Sequence, residues 1–109
     1  MSSDPILVVL TNLPSRDAAL TLARALVEQR LAACVNVMSQ CGSVYRWRGA
    51  IESASETPVL IKAPASRYAA LEQAIRRLHP YELPEIVALP VAAGLPEYLA
   101  WVTAEGASE

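Results

Sequence analysis

The heptapeptide HPYELPE, residues 79–85, gathers the chain's single histidine, a tyrosine, two prolines and two glutamates between two apolar segments. A neutral imidazole suits copper, zinc and nickel, and Glu82 and Glu85 follow His79 closely enough to share a cation with it. The structural alternative is a histidine that ends a helix, caps its carbonyls and packs on Tyr81. Two thiols join the metal candidates. Cys34 stands in the alternating run CVNVM, on the side shared with Asn36 and Met38, where a thiolate and a thioether would suit Cu(I); a buried cysteine that packs as a small hydrophobe is the commoner use of the residue. Cys41, beside Gly42, is expected to be exposed and so open to copper or oxidants. His79, Cys34 and Cys41 are therefore the candidate metal ligands.

Lys62 interrupts the apolar run VLIKA and must meet a carboxylate, reach solvent or bind an anion. Glu56 and Glu85 are the expected partners for a structural ion pair. An anion-binding cleft is the alternative: it would draw on Lys62, Tyr81 and Glu85 as small-ligand contacts, with His79 beside them. Tyr45, Trp47 and Trp101 are large enough to stack a ligand ring, although aromatics at strand and helix spacing usually anchor packing. A glycine-rich phosphate loop, an HExxH pair and a nucleophile elbow are all absent from a sequence with 4 glycines in 109 residues, so no catalytic residue is assigned.

Positioning such residues requires a fold, and the composition bounds it. The length suits one domain spanning residues 1–109. Nine basic against eleven acidic residues give a net charge of -2, which argues against nucleic acid as a partner. No apolar run approaches the roughly 20 residues of a membrane span, and MSSDPILVVL lacks the positive start of a secretory signal, so a cytoplasmic protein with reduced thiols is expected. A hydrophobic content of 53% and a mean hydropathy of +0.28 are high for so small a soluble chain; self-association is the expected cover.

PILVVLTN, residues 5–12, reads as a central strand, and Ser15 caps a helix with Ala19, Leu22, Ala23, Leu26 and Val27 on its inner face. CVNVMSQCGSVYRWRG alternates twice and reads as one long strand bent at Gln40–Gly42. Gly49 turns the chain through Ile51 and Glu52 into a strand over 57–63, making a long hairpin that overhangs its own domain. Ser66 caps a second helix with Tyr68, Leu71, Ile75 and Leu78 inward, and Pro80 ends it. EIVALPV supplies another strand and LPEYLAWV a short closing helix. The order β-α-β-β-α-β plus a helix predicts an α+β ferredoxin-like sandwich, with both main helices on one face of an antiparallel sheet.

In this order and spacing, RLAACVNV (30–37), SVYRWRGAIE (43–52), LIKA (60–63), HPYELPEIVALPV (79–91) and YLAWV (98–102) resemble the divalent-cation tolerance protein CutA family over nearly the whole chain. The resemblance implies a ferredoxin-like subunit, an intertwined homotrimer akin to the trimeric PII signalling proteins, and a role in tolerance of copper and other divalent cations, without a reaction. Some members carry a cysteine at the end of the first strand, where this chain has Thr11, so a soft ligand found elsewhere in the family is missing. The expectation is a non-enzymatic homotrimer that binds copper or another divalent cation. The alternative is a PII-like adaptor for a small anion or a partner protein.

Overall fold

The computed structural model describes residues 4–107. The elements run β1 (Ile6–Leu13), α1 (Arg16–Glu28), β2 (Cys34–Val37), β3 (Cys41–Trp47), β4 (Ala50–Pro64), α2 (Tyr68–Leu78), β5 (Val87–Pro90) and α3 (Pro96–Glu105), with a 3-10 turn at Ala65–Arg67. All strand pairings are antiparallel and the main sheet has the order β2-β4-β1-β5, which is the ferredoxin-like arrangement expected from the element order.

The register explains how the sequence divides between the two sheet faces. Val9, Thr11 and Leu13 lie opposite Ile61, Val59 and Thr57, and this odd-numbered side of β1 is sealed by Leu22 and Leu26 of α1 and by Leu71, Ala74 and Ile75 of α2. Two inner-face expectations need correction. Val27 and Leu78 are exposed, because the buried stripes of α1 and α2 are narrower than their apolar stripes; Ala74 takes the place next to Ile75. On the other side of β1, Ile6 joins Ala33 and Val102, so α3 packs across one end of the opposite face. The remainder of that face, built from Val8, Leu10, Leu60, Val87 and Leu89, has no cover within the subunit; Leu89 keeps 58% of its surface.

The long-strand expectation is corrected at Met38–Gln40, where the chain leaves the ladder and divides it into β2 and β3. Conversely, β4 is longer than expected. Ile51 and Glu52 belong to it rather than to a turn, and its first half pairs only with β3. The reversal takes two residues, Arg48 (φ 51°) and Gly49 (φ 84°), between the paired Trp47 and Ala50. Two consecutive positive φ angles define the type I′ turn, whose twist matches the strands it joins. The resulting hairpin projects from the core: the molecule measures 49 × 26 × 23 Å with a radius of gyration of 14.6 Å, against about 13 Å for a compact chain of this length.

Helix ends are fixed by long-range contacts that local spacing does not show. Ser15 caps α1 through Ala18 N–H, as expected. Ser66 does not cap the second helix; its own N–H and hydroxyl donate to the Asp4 carboxylate, which supplies the negative charge at that helix start. At the other end of α1, Leu31 N–H reaches Leu26 O and Arg30 N–H reaches Val27 O, a Schellman closure with Arg30 in the left-handed position (φ 58°) where glycine is usual.

Candidate functional site

The HPYELPE segment leaves α2 and runs to β5 alongside the hairpin, with Glu82 reaching Arg48 of its turn. Pro80 stops α2 at Leu78, and His79 adopts an extended backbone, as the residue before a proline must. This turns the imidazole inward, where it is 7% exposed. Its Nε2 lies 2.7 Å from the Asn12 carbonyl, and its Nδ1 accepts from Tyr81 N–H at 3.1 Å. Because a carbonyl only accepts and an amide N–H only donates, these partners fix the tautomer: Nε2 carries the proton and Nδ1 the lone pair. The Tyr81 ring sits 4.7 Å from the imidazole, centroid to centroid. Asn12 also donates from Nδ2 to Glu85 Oε1 at 2.8 Å, so the end of β1 holds both ends of the segment.

Electrostatics follow from this enclosure. Burial pushes the His79 pKa below the usual imidazole value, and the Asn12 carbonyl and the Glu56 carboxylate only partly oppose it. Burial pushes the Tyr81 phenol up to about 12, helped by the neighbouring Glu56 carboxylate and by nearby Tyr45. Between the hairpin and residues 80–87 lies a cleft of about 1190 Å³, walled by Tyr45, Trp47, Glu52 and Glu56 on one side and by Tyr81, Glu82 and Glu85 on the other. Arg48 crosses its mouth: the guanidinium lies 5.1 Å above the Trp47 ring centroid and 3.2 Å from Glu82, in an exposed pair that adds little stability.

The predicted metal set is not brought together within one subunit. Cys34 lies opposite Lys62 and Cys41 opposite Glu56, six residues apart along β4, or about 20 Å. His79 has both ring nitrogens committed to backbone partners, so in this arrangement it offers no lone pair to a cation. Among the described residues no three His, Cys, Asp or Glu side chains converge on one point. The donors named from the sequence therefore do not fit a closed metal centre in the subunit.

The small-ligand set divides as well. Tyr81 and Glu85 face the cleft, whereas Lys62 lies on the open sheet face and donates to Asn36 Oδ1. Neither expected ion pair forms, because Glu85 is taken by Asn12 and Glu56 stands beside Tyr81. Around Lys62 the open face carries Cys34, which is half-buried, and Tyr98 of α3, whose phenol is raised by burial first and by Cys34 next to it. Tyr98 and Trp101 stack at 5.6 Å, and both remain exposed. The sequence reading missed the structural use of Asn12 and Arg30. Arg30 holds α3 by donating Nε to Ala107 O at 3.0 Å and an Nη to Ala104 O at 3.1 Å, contacts between residues more than 70 positions apart.

Residues 7–105 match the family described as CutA1 divalent ion tolerance protein. The chain is 47% identical over 95 residues to the divalent-cation tolerance protein CutA of Thermus thermophilus, covering 87% of this chain and 92% of that one. It is 49% identical over 89 residues to protein CutA of Mus musculus, where the match covers 82% of this chain and 50% of the mouse protein. The solved structure of the Thermus thermophilus protein superposes with a TM-score of 0.90 at 45% identity, covering 92% of this chain and 97% of that one.

Proposed function

The chain belongs to the CutA1 divalent ion tolerance family, and from that membership we propose that it serves tolerance of divalent cations, copper foremost, as a homotrimer that binds the ion directly and catalyses no reaction. The observation that carries the tolerance role is the family match over residues 7–105. Support for the trimer is physical: the uncovered apolar sheet face and the projecting hairpin leave Leu89, Val44 and Ile51 in water, which a closed symmetric assembly would relieve. A copper ion in such an assembly draws its donors from more than one copy, and Cys34, the thiol on the open face, is the soft donor placed to join it.

Native mass spectrometry with added Cu(II) tests both parts at once. The expected spectrum is a trimer that retains copper, weakened by Cys34→Ser and unaffected by His79→Asn or Cys41→Ser. Retention that depends only on Cys41 would reduce the binding to exposed thiol chemistry. One observation favours the adaptor reading instead: Lys62 is half-buried, and its ammonium has an amide rather than a carboxylate beside it. That reading expects no copper retention, and a rise in melting temperature with small anions that Lys62→Gln abolishes.

A further inference from the structure

We propose that His79 is a proton-operated fastening for the cleft wall: neutral, it holds residues 79–86 against the end of β1, and on taking up a proton it releases Tyr81 and loosens that wall. The geometry requires this direction. Nδ1 accepts the Tyr81 N–H, and a backbone amide has nothing to offer except a donor. A second proton on the imidazole must go to Nδ1, where it opposes the amide hydrogen at a site 3.1 Å away and removes the acceptor. The Nε2–H to Asn12 carbonyl bond survives and strengthens, so the ring stays while the chain that follows it is set free.

The release travels because Tyr81 is the inner post of the segment. Its ring lies against the imidazole, and its hydroxyl meets Glu56 of β4 with Tyr45 of β3 close by. Beyond it, among the described residues Glu82 is held through the exposed Arg48 and Glu85 through the Asn12 amide. Residues 79–86 contain no regular element and no ladder bond that would hold Tyr81 independently. The charged group facing the ring is Glu56 of β4, which favours the imidazolium; the Tyr81 phenol, pushed up to about 12, is uncharged at neutral pH, and the contact from β1 is a neutral carbonyl. Burial outweighs Glu56 and holds the neutral form down to a pH below the ordinary imidazole range, so the device operates on acidification.

The chain has one histidine, which makes the test direct. In the intact assembled protein the imidazole Cε1–H resonance is followed by NMR from pH 8 to pH 5, and amide hydrogen exchange of residues 79–86, corrected for intrinsic rates, is followed over the same range. The expected result is that Tyr81 N–H loses at least tenfold of its protection with the midpoint of the histidine titration, while the amides of β1 and β4 keep theirs. His79→Asn provides the second arm. An asparagine oxygen accepts from the amide two residues on without titrating in this range, and the pH step should vanish. Protection that stays constant through the titration, or an unchanged step in His79→Asn, would overturn the proposal. The wild-type titration decides the matter even if the variant fails to fold.

Discussion

Thr11 is 0% exposed, and its hydroxyl is a buried polar group without a hydrogen-bond partner among the described residues. Its Cα partner is Val59, in the most apolar layer of the molecule, so the oxygen has been desolvated without compensation. Thr11→Val keeps the shape and removes the orphan; thermal melting should show stability unchanged or raised by about 1–2 kcal/mol. A clear loss would show that the hydroxyl is hydrogen-bonded, for instance to an enclosed water. His79 gives a prediction of opposite character. Its folded pKa lies below its unfolded value of about 6.5, so the unfolded chain binds the extra proton first. Its contribution is complete above that pH and declines as pH falls from about 6.5 toward the folded pKa. Denaturant midpoints should therefore be flat from pH 8 to 7 and drop below it, and His79→Asn should flatten that slope. At this scale the sequence was half legible. It marked His79 through the chemistry that surrounds it, but the two atoms that decide its role belong to backbone groups, Asn12 O and Tyr81 N–H, whose direction no residue type records.

The elements were more readable, since alternation and helical spacing are repeated along many residues whereas a contact occurs once. β1, α1, α2 and the type of every other element follow from those periods. What failed were the joints: the break at Met38–Gln40, the early start of β4 and the cap on the second helix all depend on partners distant in the chain. Arg30 illustrates the reason. Local rules ask for glycine at that Schellman position, because an L side chain at positive φ costs roughly 1 kcal/mol. The chain keeps arginine there, and the guanidinium holds the Ala104 carbonyl of α3 and the Ala107 carbonyl just past it, close to Gly106, where a Cβ would come within 2.6 Å of Pro64 Cδ. Arg30→Ala should then lose about 1–3 kcal/mol and leave α3 less protected in hydrogen exchange than the sheet. Arg30→Gly removes the same clamp but relaxes the backbone, and should be more stable than the alanine variant by about 1 kcal/mol. Equal melting temperatures for the glycine and alanine variants would show that the left-handed residue carries no strain.

At the scale of the whole molecule, the apolar excess of the composition finds its place. The helical face of the sheet is closed, and the excess lies on the opposite face and along the hairpin. Val8, Leu10 and Leu60 are half-covered there by their own neighbours, while Val87 and Leu89 of the edge strand β5, Tyr98 and Trp101 of α3 and the tip residues of the hairpin remain in water. Lys62 is a charged side chain set within this face by the strand register, opposite the apolar Val8, with a long stem suited to apolar surface. Such a surface is costly for a lone subunit and suited to identical neighbours, so folding and association should be coupled, with a melting temperature that rises with protein concentration. Leu89→Glu places a carboxylate on the uncovered face, along its β5 edge, without touching the subunit's own core, because the opposite-face neighbour in β5, Ala88, packs toward the helices and Leu89 does not. The substitution should weaken assembly by about 2–4 kcal/mol per subunit, the lost leucine burial plus the cost of an unpaired buried charge, enough to shift sedimentation at micromolar concentration from the proposed trimer toward the 11.7 kDa monomer. Val27→Glu, on the exposed side of α1, adds the same charge to the helical layer and should sediment as the unaltered protein does. If Val27→Glu dissociates the protein and Leu89→Glu does not, the helices rather than the open sheet face form the contact between copies.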